Sequence, residues 1–239
     1  MDFLNASASV IGHSHYKLYY NNQDSYHFFQ NRSCIIGVVA DGCGGGSNSE
    51  VGAQLSVDFV VNFCRKHFQD KPFDAAALKN GLVEFLKNIV KNQRTTEELD
   101  FIENYLFFTL FGFVVQPQRT VIFHSGDGLY CLNDQVVAID QDNRPEYIAK
   151  TLISGEAFLA AEPVETSQLN RLLVATDGLT HLNERFLQGE SVEDMTSLSG
   201  FFENEDFFDD PASLPAFLTG LSLDRKVLRD DTTMIMLKR

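Results

Sequence analysis

The chain has 239 residues, 44% hydrophobic and 22% charged, with a formal net charge of −14, a pI near 4.7 and a mean hydropathy of −0.12. That balance describes one large globular domain or two small ones, with apolar residues enough for a substantial core. The acidity speaks against nucleic acid as a partner, which needs a basic face, and is compatible with binding divalent cations.

In chain order, the first clear element is the β-branched run SCIIGVVAD (residues 33–41), read as a buried strand. It ends on Asp41, and the glycine-rich stretch GCGGGSNS leads into a predicted helix at 49–67. There Val51, Leu55, Phe59 and Phe63 recur at helical spacing behind a Ser/Asn-rich cap. A second amphipathic helix is predicted over 72–93, with Pro72 near its start. Four strands follow, at 104–115, 119–127, 128–134 and 135–140, and their short QPQ, GDG and ND connections predict antiparallel hairpins and a meander. RLLVATDG (171–178) is a further strand. The acidic FFENEDFFDD (201–210) reads as a solvated loop with its phenylalanines turned inward, PASLPAFLTGLS (211–222) as a helix, and TTMIMLK (232–238) as the last strand. Strand runs with helices between them imply an α+β layered domain, and there is no linker, repeat or low-complexity segment.

Four cysteines stand far apart with no C-x-x-C pair, so neither a zinc framework nor a dense disulfide scaffold follows. The opening residues lack the basic and apolar regions of a signal peptide, and no uncharged apolar run is long enough to cross a bilayer. The expectation is a reduced, cytoplasmic protein without a membrane partner.

What recurs is an acid at the end of an apolar strand: Asp41, Asp127 and Asp177, each followed by glycine, and Asp230 with Asp231 before the last strand. A single Asp-Gly pair is most simply a turn. Several acids on adjacent strand ends would repel one another unless a cation neutralised them, and oxygen-only donors favour hard ions such as Mg²⁺ or Mn²⁺. Nucleotide readings of the glycine loop fare worse. GCGGGSNSE has no lysine for a P-loop, and Ser47 occupies the place of the third glycine of a dinucleotide fingerprint.

Six segments in order resemble the metal-dependent PP2C (PPM) serine/threonine protein phosphatases, the compact bacterial members in particular. They are GHSHYKLYYNNQDSY, VVADGCGGGSNSEVGA, FFTLFGFVV, HSGDGLYCLND, LLVATDGLTHL and RDDTTMIML. The resemblance implies one PP2C-like domain over residues 1–239, an αββα sandwich of two antiparallel sheets flanked by paired helices, with a reduced flap between 141 and 170. It implies two Mn²⁺ or Mg²⁺ ions, bridged by Asp41 and completed by the Gly42 carbonyl, Asp177 and Asp230. Gln23 stands where relatives carry a metal-associated Glu, Asp24 is its neighbouring acid, and Asp127 lies where relatives bind a third, more labile metal. The implied reaction is hydrolysis of phosphoserine or phosphothreonine in a protein substrate by a metal-activated water, with no enzyme-bound phosphate, in a monomer.

The departures from that pattern concern the substrate. Tyr19 takes the place of a phosphate-clamping Arg, leaving Lys17 as the nearest cation for the substrate phosphate, a point charge without the bidentate fork. His181 stands where relatives often have a second Asp and reads as a surface or capping residue, and Gly128 replaces a Ser. Cys43 sits where animal relatives have a proposed general-acid His, and reads as a small filler. The His13–His15 triplet reads as part of the opening strand. Two further functions stay open: a phosphoprotein-binding pseudophosphatase with little turnover, and a small-molecule phosphomonoesterase.

Overall fold

The computed structural model describes residues 1–94, 97–142, 144–153, 156–193 and 195–239. The chain opens with β1 (Leu4–Val10), the short helix α1 (His13–Leu18), β2 (Asp24–Gln30) and β3 (Ile35–Gly42). Three helices follow: α2 (Ser49–Phe68), α3 (Ala75–Asn92) and α4 (Glu98–Tyr105). Then come β4 (Phe108–Val115), β5 (Arg119–Ser125), β6 (Gly128–Leu132), β7 (Gln135–Ile139), β8 (Ala160–Glu165) and β9 (Arg171–Ala175). Helices α5 (Thr180–Leu187), α6 (Asp206–Asp209) and α7 (Ser213–Thr219) precede the last strand, β10 (Thr232–Lys238).

The strands form two five-stranded antiparallel sheets, ordered β2-β3-β4-β5-β8 and β1-β10-β9-β6-β7. Strand β3 shows why its sequence is an unbroken apolar run. Ile36, Val38 and Ala40 pack towards α2 and α3, while Ile35 and Val39 join Phe111, Phe113, Val174 and Ile235 between the sheets. Both faces are dry, so alternation disappears. On the far side, Leu173, Ala175, Met234 and Met236 pack with Leu214 and Leu218 of α7 and with Phe201, Phe202 and Phe207. Each large side chain sealed in these layers contributes about 1.5–3 kcal/mol. The expected αββα architecture is present, and the phenylalanines of the acidic segment do turn inward.

Several local expectations need correction. The stripe Val51, Leu55, Phe59, Phe63 is not the core face of α2: Val51 and Leu55 are exposed, and Phe59 stacks on Phe85 of α3 at 4.4 Å. The face against the sheet is made of Gly52, Ala53, Ser56, Val57, Val60, Val61 and Cys64. Small side chains let the helix lie close to the β-layer, and at Gly52 an added Cβ would come within 2.1 Å of the Tyr105 carbonyl. The His13–His15 triplet opens α1 and is not in a strand. The predicted strand at 104–115 begins only at Phe108, because Glu98–Tyr105 completes a helix first. The GDG connection is no hairpin: β5 and β6 lie in different sheets, so the turn at Asp127 crosses the sandwich.

The segment after β7 is tied to the body. Its 3₁₀ turn at Ile148–Leu152 buries Ile148 and Ala149 in the core beneath α2 and α3, and β8 extends the sheet beside β5. Among the described residues, no helix is long and apolar enough to cross a membrane, and all four cysteines are free thiols.

Candidate metal centre

One end of the sandwich collects the strand-end acids. Asp24, first in β2, lies opposite Asp41 near the end of β3, and Asp41 lies opposite Thr109 of β4 on its other side. Asp177 follows β9 by two residues, Asp230 precedes β10 by two, and Asp127 sits in the crossing between the sheets. Asp41, Asp127, Asp177 and Asp230 line one cleft of about 300 Å³, together with Gly42 and Gln23.

The three Asp-Gly pairs have two local causes. A Cβ at Gly42 would lie 2.7 Å from the Ser49 backbone at the start of α2, and one at Gly178 would lie 1.9 Å from the Asp231 carbonyl. Gly128 has φ +153°, and a Cβ there would strike the Phe111 ring at 2.5 Å, so the crossing turn has no room for a side chain. Gly42 and Gly178 are demanded by close backbone approach, not by a left-handed turn. At Gly44 and Gly45, in contrast, a Cβ would meet only ordinary contacts, at 3.9 and 3.8 Å.

The cleft is electrostatically unfinished. Loss of hydration, then the charges of Asp24, Asp177 and Asp230, push the Asp41 carboxyl well above the usual carboxylate range. Asp177 rises to about 6 through burial and the neighbouring Asp230 and Asp127, with His181 opposing the shift. Burial raises Asp127. It also raises Asp24 well above its usual value, against a hydrogen bond from Thr176. One oxygen each of Asp24 and Asp127, and the Thr109 hydroxyl, are buried without a protein partner. Acids that raise one another's pKa, with orphaned oxygens and no sulfur donor beyond one thiol, fit hard divalent cations.

Not every predicted site residue reaches the cleft. Asp24 stands behind it: its Oδ2 accepts from Thr176 Oγ1 at 2.7 Å, and Thr176 Oγ1 in turn accepts from the Thr233 amide at 3.0 Å, linking the two sheets beneath the acids. Gln23 turns its amide nitrogen to Gly46 O (3.2 Å) and Ser49 Oγ (2.9 Å), bracing the glycine loop. Lys17 is exposed on α1 and is not among the residues lining the cleft. His181 is exposed on the first turn of α5.

Three participants were given no site role from the sequence. Asp231 is almost fully buried and accepts from the amides of Gly12 and Gln23, both at 2.7 Å. His15 Nδ1 lies 2.9 Å from Asp231 Oδ2 and 3.8 Å from Asp230 Oδ1, and the ring borders the cleft. His15, Asp230 and Asp231 offer ligand atoms within 4.8 Å of one another, but the Asp231 oxygens are already taken by protein donors. Tyr147, 8% exposed, also lines the cleft; burial and a hydrogen bond shared with Cys43 raise its phenol. The doubled acid before β10 is the one signal that pointed here, and both of its carboxylates lie near His15 Nδ1.

The family model for protein phosphatase 2C matches residues 11–218. No curated protein matches the chain by sequence. Among solved structures, a serine/threonine phosphatase of S. agalactiae superposes with a TM-score of 0.63 at 14% identity, covering 99% of each chain. Serine/threonine phosphatase Stp1 from Staphylococcus aureus gives 0.60 at 15% identity, covering 100% of this chain and 96% of that one. The catalytic domain of serine threonine protein phosphatase PstP, in complex with 2 manganese ions, gives 0.56 at 17% identity, covering 99% and 97%.

Proposed function

The chain belongs to the protein phosphatase 2C family of metal-dependent serine/threonine phosphatases, and we propose that it hydrolyses phosphoserine and phosphothreonine in proteins with two Mn²⁺ or Mg²⁺ ions. The supporting observation is the convergence of Asp41, Asp177 and Asp230 on one cleft, where burial and neighbouring acids raise the proton affinity of Asp41 and Asp177. Asp41, Gly42 through its carbonyl, Asp177 and Asp230 would hold these two ions, and Asp127 a third, more weakly held one. Bound there, the ions supply an acidified water and positive charge for the phosphoryl oxygens.

The protein's own part is positional. Asp24 and Thr176 fix the sheet ends behind Asp41, Gln23 braces the glycine loop, and Asp231 locks the segment that carries Asp230. Lys17, exposed on α1 outside the cleft lining, is the cation assigned to the substrate phosphate. Tyr147 and Cys43 wall one side and exclude solvent.

Hydrolysis of p-nitrophenyl phosphate and of a phosphothreonine peptide, each with Mn²⁺, Mg²⁺ or chelator, tests this reading. Metal-dependent turnover that Asp177→Asn abolishes is the expected result. Metal binding without turnover would establish a pseudophosphatase, and preference for the small substrate a phosphomonoesterase.

A further inference from the structure

A second concavity, of about 430 Å³, opens beside the metal cleft and shares Gln23, Gly44 and Gly45 with it. Its other walls include Tyr19, Tyr20 and Glu50. The two tyrosines follow α1, where Tyr19 caps the helix in the left-handed conformation at φ +60°. Its ring stands free, 95% exposed, and Tyr20 is 55% exposed. Glu50, in the first turn of α2, accepts a hydrogen bond from Asn21 Nδ2 at 3.0 Å through Oε1. No lysine, arginine or histidine is among the described residues that line this groove, and the chain carries a net charge of −14.

We propose that this groove binds an arginine side chain of the phosphoprotein substrate, close in sequence to the phosphorylated residue. The inference rests on the phosphatase reading, because the groove is continuous with the cleft that would receive the phosphoryl group. A guanidinium is the group that this lining suits. It lies flat on a tyrosine face, gains from the ring's negative quadrupole, and donates in a fork to a carboxylate. Two exposed tyrosines beside one carboxylate supply both halves of that recognition. Exposed aromatic surface of this kind is otherwise a liability in water.

The test uses phosphothreonine peptides that differ only in carrying Arg or Ala at one of about four positions on either side of the phosphothreonine, since a groove bordering the cleft reaches only that far along an extended chain. The kcat/KM with Mn²⁺ is measured together with binding by fluorescence anisotropy, for the wild type, Glu50→Gln and the double variant Tyr19→Ala/Tyr20→Ala. At one or two positions the wild type is expected to favour Arg by about tenfold, falling to about twofold in either variant. Turnover of p-nitrophenyl phosphate, too small to reach the groove, stays unchanged. The proposal is overturned if no position favours Arg, if the preference survives both variants, or if p-nitrophenyl phosphate turnover falls in parallel with the peptides. Absence of all turnover would overturn the phosphatase reading instead, and anisotropy would still decide the groove by the same criterion.

Discussion

Two carboxylates at the same end of the sandwich, Asp231 and Asp41, have opposite surroundings. Asp231 is supplied with donors by the protein itself: two backbone amides and a histidine ring within 2.9 Å. Asp41 has Asp24, Asp177 and Asp230 as neighbours, and burial, then their charges, raise its pKa. A carboxylate with its hydrogen bonds in place is a structural brace, whereas a set of carboxylates facing one another is a demand for a cation. The same residue type therefore serves stability at one position and chemistry a few ångströms away.

Substitutions separate the two roles. Asp41→Asn or Asp177→Asn should lower Mn²⁺-dependent turnover by roughly 10³-fold or more, by loss of metal-assisted chemistry. Urea unfolding in chelator should show these variants no less stable than the wild type, since each removes a repelled charge. Asp231→Ala should do the reverse. Leaving the Gly12 and Gln23 amides and His15 without their acceptor costs about 3–5 kcal/mol of unfolding free energy.

Proton linkage sharpens the contrast. The Asp177 carboxyl rises from 3.8 to about 6 in the folded, metal-free chain, so the native state holds this proton more tightly than the unfolded state does. The resulting stability is full below about pH 4 and is lost as the pH rises through about 6, a change on the order of 3 kcal/mol from this group. Thermal melts in chelator between pH 4 and 7 should show that decline from this group, with Asp177→Asn as the control that removes it. Saturating Mn²⁺ should flatten the upper part of the curve. The smallest effect belongs to the cleft wall: Cys43→Ala should change turnover by less than about threefold and stability by about 1 kcal/mol, through its bond to Tyr147.

Much of the fold was legible because the signals were local and repeated. The run at 35–42 and the run at 232–238 are strands with both faces dry, and their apolar continuity says so. The acids Asp41, Asp127, Asp177 and Asp230 were legible because each flanks an apolar run and the order of motifs resembles one family. What stayed hidden depends on packing partners distant in sequence. The helix face of α2 was misread because its close approach to the sheet selects small residues, which carry little hydropathy signal, while the large Phe59 and Phe63 serve the neighbouring helix. His15 and Tyr147 reach the cleft from α1 and from the segment after β7, and nothing near them in sequence marks them as neighbours of Asp41. Asp24 and Gln23 were found as motif residues, but only the hydrogen bonds to Thr176 and Ser49 show them bracing the site.

The central claim is that the acid cleft is a cation site completed by divalent ions. Calorimetric titration of the chelator-stripped protein with Mn²⁺ near neutral pH tests it most directly. Two ions should bind per wild-type chain, with at least one site lost in Asp177→Asn. No saturable binding in the wild type, or an unchanged isotherm in the variant, would contradict it.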